Sequence, residues 1–154
     1  MDGNATISGT STVRLVEATI GGNLQIQQLS VGQPQSAVCG TRISGNLQVQ
    51  NDRSPIEIGA HNANACAGNI VGNNLQAQNN YAALSIDYNN VGGNLQVNNN
   101  TAATDVSGST VAHNLQCQNN TPAVTHVELN MVQGQAQGSM RRLSVRTGEP
   151  RRFQ

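Results

Sequence analysis

The chain has 154 residues, 36% of them hydrophobic and only 2% aromatic, with no Trp, one Phe and two Tyr; the expectation is one domain with a thin core of Leu, Ile, Val and Ala. Lys is absent, charged residues make up 10%, and eight Arg balance eight acids, which removes any global electrostatic ground for nucleic acid or an anionic membrane as partner. Asn and Gln contribute 37 residues, a composition that reads as low complexity unless a pattern organises it.

A pattern does. The opening Met1-Asp2-Gly3 begins no signal peptide, and no apolar run approaches the length of a membrane span. Gly3-Asn4-Ala5-Thr6-Ile7-Ser8 is a weak first copy of a phrase that then recurs five times. The strong copies are Gly22-Asn23-Leu24-Gln25-Ile26-Gln27, Gly45-Asn46-Leu47-Gln48-Val49-Gln50, Asn73-Asn74-Leu75-Gln76-Ala77-Gln78, Gly93-Asn94-Leu95-Gln96-Val97-Asn98 and His113-Asn114-Leu115-Gln116-Cys117-Gln118. Gly134-Gln135-Ala136-Gln137 is a degenerate last copy. Asn4, Asn23, Asn46, Asn74, Asn94, Asn114 and then Gln135 are separated by 19, 23, 28, 20, 20 and 21 residues, so the unit is a coil of about twenty residues with a few insertions.

Inside each phrase apolar and amide side chains alternate, Leu24/Ile26, Leu47/Val49, Leu75/Ala77, Leu95/Val97 and Leu115/Cys117 facing one way. That is the period of a β-strand. A second apolar pair follows at Val13/Leu15, Ile56/Ile58 and Leu84/Ile86, with Val106 and Val127 in the later slots; a third mark, Ile20, Ile43, Val71, Val91, Val111 and Val132, precedes the repeat Asn or its Gln counterpart by three residues. The predicted fold is therefore all-β: a single-domain parallel β-solenoid of about six coils with three short strands per coil, a rod roughly 30 Å long at the usual strand spacing. It spans residues 1–139, with 1–19 as an N-terminal capping coil and 59–68 as a loop insertion. Asn23, Asn46, Asn74, Asn94 and Asn114 are expected at tight bends in left-handed backbone, their stacked amides forming a structural ladder. Asn79-Asn80, Asn99-Asn100 and Asn119-Asn120 mark the next corner. Residues 140–154 carry five Arg against one acid and are expected to form a basic cap or tail, with Leu143 and Val145 in a last strand that blunts the open edge.

The phrase Gly-Asn-Leu-Gln-Val-Gln-Asn-Asn resembles repeats in uncharacterised, secreted bacterial parallel β-helix proteins, over residues 20 to 137. The resemblance implies a right-handed helix and a secreted or cell-surface location, and little about activity. A square pentapeptide-repeat helix is excluded, because five-residue steps from Leu75 land on Asn80, Ser85 and Asn90.

No catalytic apparatus is legible, and no cofactor or metal site is expected. Asp87 and Asp105 are the best acid pair, on neighbouring coils but two positions apart, with nothing basic or nucleophilic beside them. His61 and Cys66 in the insertion fall short of the three or four ligands zinc needs. Cys39 and Cys66, on adjacent coils, are candidates for a disulfide, the alternative being two separate thiols. Cys117 fills the slot of Val49 and Val97 and reads as core. One regular surface remains: Gln25, Gln48, Gln76, Gln96 and Gln116 beside Gln27, Gln50, Gln78, Asn98 and Gln118 form a two-lane amide face, and amides donate and accept as sugar hydroxyls and water do. The expected function is a non-enzymatic structural or adhesive module that contacts another copy of itself, a polysaccharide or a cell surface. The rivals are a carbohydrate-binding or carbohydrate-acting protein, marked by a groove lined with acids and aromatics, and a self-assembling rod or ice-binding surface.

Overall fold

The computed structural model describes residues 1–31, 35–60 and 66–138, together with the backbone of Val145–Thr147. The described residues form strands in three parallel sheets and no helix. The first wall stacks the repeat phrases: Ala5–Ser8, Leu24–Gln27, Leu47–Gln50, Leu75–Gln78, Leu95–Asn98, Leu115–Gln118 and Ala136–Gly138. The second holds Arg14–Val16, Ser36–Cys39, Ile56–Gly59, Leu84–Asp87 and Thr104–Ser107. The third holds Thr19–Ile20, Arg42–Ile43, Ile70–Val71, Asn90–Val91, Thr110–Val111, Asn130–Val132 and Val145–Thr147. The first five coils visit the three walls in turn, and the sixth meets the second wall through a single bridge between Asp105 and Thr125, which makes the molecule the β-solenoid that the repeat predicts.

Register explains why the apolar residues are so few and so regular. Leu24, Leu47, Leu75, Leu95 and Leu115 lie directly over one another, as do Ile20, Ile43, Val71, Val91, Val111 and Val132 on the third wall. All are buried. A buried Leu gains about 1.5–3 kcal/mol over an exposed one, but only when the coils above and below supply the walls, so stability belongs to the stack rather than to any coil. At the N-terminal end Ala5, Ile7 and Leu15 pack against the core only in part. At the other end Val145–Thr147 adds a seventh strand to the third wall, paired with Asn130–Val132. Leu143 and the arginines at 141, 142, 151 and 152 lie outside the described residues, as does His61.

Two details differ from the sequence pattern. Val127 is 86% exposed, while Val124 is fully buried. Asp105 pairs with Thr125, so the extra residue of that longer coil falls after the strand and Val124, not Val127, faces inward. The repeat Asn residues also lack left-handed backbone. Positive φ, between 56° and 59°, falls instead five residues later, at Gln28, Asn51, Asn79, Asn99 and Asn119, so the sharp turn follows the first wall. Asn, which holds four of these five positions, suits it because its short amide tolerates this region better than branched side chains do.

All three corners carry hydrogen-bond ladders. At the corner leading into the first wall, each Asn Oδ1 accepts the backbone N–H of the next repeat residue, from Asn4–Asn23 through Asn114–Gln135. At the corner after it, Asp52, Asn80, Asn100 and Asn120 form a buried column, each side chain accepting an N–H from the coil below. The third corner repeats this with Thr41, Asn69, Asn89, Ser109 and Asn130. The Asn side chains of these inner columns also donate through Nδ2 to main-chain carbonyls of the coil below, for example Asn80 to Val49, Asn89 to Ile58 and Asn100 to Ala77. Burying an amide is costly unless its donors and acceptors are met; here the stack meets them.

Candidate functional site: an amide wall and an acidic cleft

The outward positions of the first wall bring every amide of the two expected lanes together. Gln25, Gln48, Gln76, Gln96 and Gln116 are in register, and so are Gln27, Gln50, Gln78, Asn98 and Gln118. The first lane is zipped: Gln48 donates to Gln76 (2.8 Å), Gln76 to Gln96 (2.7 Å) and Gln96 to Gln116 (3.0 Å). At the N-terminal end Gln25 donates across the lanes to Gln27, and Gln50 donates to Gln27 within the second lane. In the second lane the Gln118 N–H donates to Asn98 Oδ1. A primary amide has two N–H donors and two lone pairs, and each link of the zip uses one of each. One donor and one lone pair of each amide inside the zip are left outside it, and they recur with the strands. Beside this row, Asn4, Thr6, Asn23, Gln25, Asn46 and Gln48 line a shallow polar groove of about 240 Å³.

The second wall carries a different surface. Asp105 is opposite Ser85 and Asp87 opposite Ser107, the two-position offset read from the repeat. Asp87 and Asp105, with Tyr88, Ser107, Val127 and Glu128, line a cleft of about 350 Å³. Asp105 accepts hydrogen bonds from Ser107 Oγ (2.6 Å) and Thr125 Oγ1 (2.8 Å), and Ser107 Oγ in turn accepts the Val127 N–H (2.7 Å). Tyr88 has φ 57°, which turns its ring across Gly108, where a Cβ would meet the ring carbons at 2.5 Å. Partial desolvation, then the negative charges of Glu128 and Asp87, push the Tyr88 phenol above its ordinary value. No basic side chain stands among the described residues lining the cleft, and no group of three or more His, Cys, Asp or Glu among the described residues could hold a metal ion.

Cys39 and Cys66 are joined in a disulfide with a Cα–Cα distance of 5.7 Å. Cys117 lies fully buried above Val97, where desolvation pushes its thiol up to about 12, so it behaves as a small apolar residue. Sequence reasoning missed Tyr88 and Glu128 as partners of the acid pair, because the left-handed turn after the second wall recurs in backbone, at Glu17, Gly40, Tyr88 and Gly108, but not in residue type. It also missed Asp52, although the Asn51-Asp52 step after Gln50 stands where Asn79-Asn80 follows Gln78. No protein-family model, curated protein or solved structure matches the chain.

Proposed function

We propose that the protein is a non-enzymatic structural or adhesive module and that its amide wall is the contact surface. The supporting observation is the zipped lane from Gln48 to Gln116, with its donors and acceptors repeating at the strand spacing. Long Gln side chains normally lose rotamer freedom when a partner binds. Here the zip has already restricted them, so a repetitive, hydroxyl-rich or amide-rich surface meets a prepared face. The Cys39–Cys66 disulfide supports an oxidising, extracellular setting for this role.

The test places charge in the lane without touching the core. The double variant Gln76→Lys, Gln96→Lys should keep its far-UV spectrum and shift the unfolding free energy by less than about 1 kcal/mol, since both positions face outward. It should lose most of any sedimentation with insoluble polysaccharide and any concentration-dependent light scattering shown by the parent. Unaltered association in both assays would remove the wall from consideration.

A second reading is favoured by the cleft, because acids and an aromatic ring in one groove are the mark of a carbohydrate-binding protein. Carboxylates accept from sugar hydroxyls, and an exposed ring face packs on the apolar face of a pyranose. On this reading Gly108→Ala, which levers the Tyr88 ring aside, abolishes glycan-array signals that the lysine variant of the wall retains. The opposite pattern assigns glycan contact to the wall.

A further inference from the structure

The buried column at the corner after the first wall contains one exception. Asn80, Asn100 and Asn120 each place Nδ2 against a carbonyl of the coil below, that of Val49, Ala77 and Val97. The fourth member is Asp52, 1% exposed. Its Oδ1 accepts the Leu29 N–H (2.9 Å), and its own N–H donates to Asn80 Oδ1 (3.1 Å), so it occupies the Asn position faithfully. Its Oδ2 has no hydrogen-bond partner. By the repeat, the carbonyl this arm should serve is that of Ile26, which is in register with Val49. An ionised carboxylate has no hydrogen to offer a carbonyl, whereas a carboxylic acid has one.

We infer that Asp52 is a proton-operated joint between the second and third coils: protonated, it completes the column as an Asn does, and ionised, it leaves that link open. The surroundings are consistent with this. Below it lie Leu29 and its neighbours, and above it Asn80 and Tyr81. The adjacent cation, Arg53, has its guanidinium 5.6 Å from the Tyr81 ring. Burial outweighs the Leu29 N–H and pushes the carboxyl from the ordinary 3.8 up to about 6. A carboxyl that holds its proton more tightly when folded stabilises the fold most below its unfolded value. It loses that contribution as the pH rises through about 6. The joint is also the junction crossed by the Cys39–Cys66 disulfide and flanked by the longest insertions, so one covalent and one protonic link act on the same pair of coils.

The test is urea unfolding of the parent and of Asp52→Asn between pH 4 and pH 8. The histidines and all other acids are common to both proteins, so the difference isolates position 52. A shift of about two pH units corresponds to about a hundredfold in the folding equilibrium. Asp52→Asn should therefore be about a hundredfold more stable than the parent at pH 8, relative to their difference at pH 4, with the gain appearing between about pH 4 and 6. Parallel pH profiles, or a variant less stable than the parent at pH 8, overturn the inference. A ¹³C titration of the parent's Asp52 carboxyl gives an answer independent of the variant: a midpoint near 6 supports the joint, and one near 3.8 overturns it.

Discussion

Asn100→Ala should lower the unfolding free energy by about 3–5 kcal/mol, the largest effect expected from any single polar side chain in the molecule. Asn100 is fully buried. It accepts from the Asn80 N–H and Nδ2 and donates to Ala77 O and Asn120 Oδ1, four bonds of 3.0–3.1 Å. Truncation strips a buried N–H of its acceptor, takes a donor from two buried oxygens and leaves a small void. An orphaned buried polar group alone costs about 1–3 kcal/mol. Against the usual 5–15 kcal/mol of a whole domain, the loss should show as a large fall in the urea midpoint. Gln96→Ala, one amide removed from the outward zip, should cost less than about 1 kcal/mol because water replaces its partners. Equal effects at the two positions would mean that the buried column does not carry the stack.

The second large effect belongs to the disulfide. Cys39 and Cys66 are 27 residues apart, and closing a loop of that length in the unfolded chain stabilises the folded state by about 3–4 kcal/mol on the chain-entropy account. The double variant Cys39→Ala, Cys66→Ala should lose about that much, and reductant should bring the parent down to the same level. The bridge ties the second wall of one coil to the end of the insertion in the next, so fraying should begin there. Hydrogen exchange read at Arg42–Ile43 and Ile70–Val71, paired across this junction, would locate it. A variant as stable as the parent, with or without reductant, would show the bridge to be dispensable.

Most of the architecture was legible in the chain because a solenoid writes its cross-section into every repeat. Leu24 through Leu115, the Val and Ile marks before each Asn, and the outward Gln lanes all follow from a period of two nested in a period of twenty. What was not legible lies where the period is broken or where a polar residue does an inward job. The spacing puts Val127 in the inward slot because an extra residue can fall on either side of a strand, and only the pairing of Thr125 with Asp105 decides which. The doublets mark Asn80, Asn100 and Asn120 as corners, but a corner Asn looks the same in sequence whether it faces water or carries a buried column. The acid pair was found by alignment, whereas Tyr88 and Glu128 join it through turns. The disulfide was one of two open readings for Cys39 and Cys66, since proximity depends on the path of an insertion with no repeat to compare.

The ladders have opposite polarity: oxygens at the exposed corner accept from the coil above, while those of the two inner columns accept from the coil below. Each coil thus presents one pattern of plugs and sockets on its upper face and the matching pattern on its lower face. In the stretch where Asn74, Asn94 and Asn114 follow one another at 20 residues, neighbouring coils are interchangeable fittings. Duplicating one such unit would add about 4.8 Å of rod without demanding a new kind of contact. The length of this molecule is therefore a quantity that gene duplication can change in fixed steps, as a ruler is extended by whole divisions.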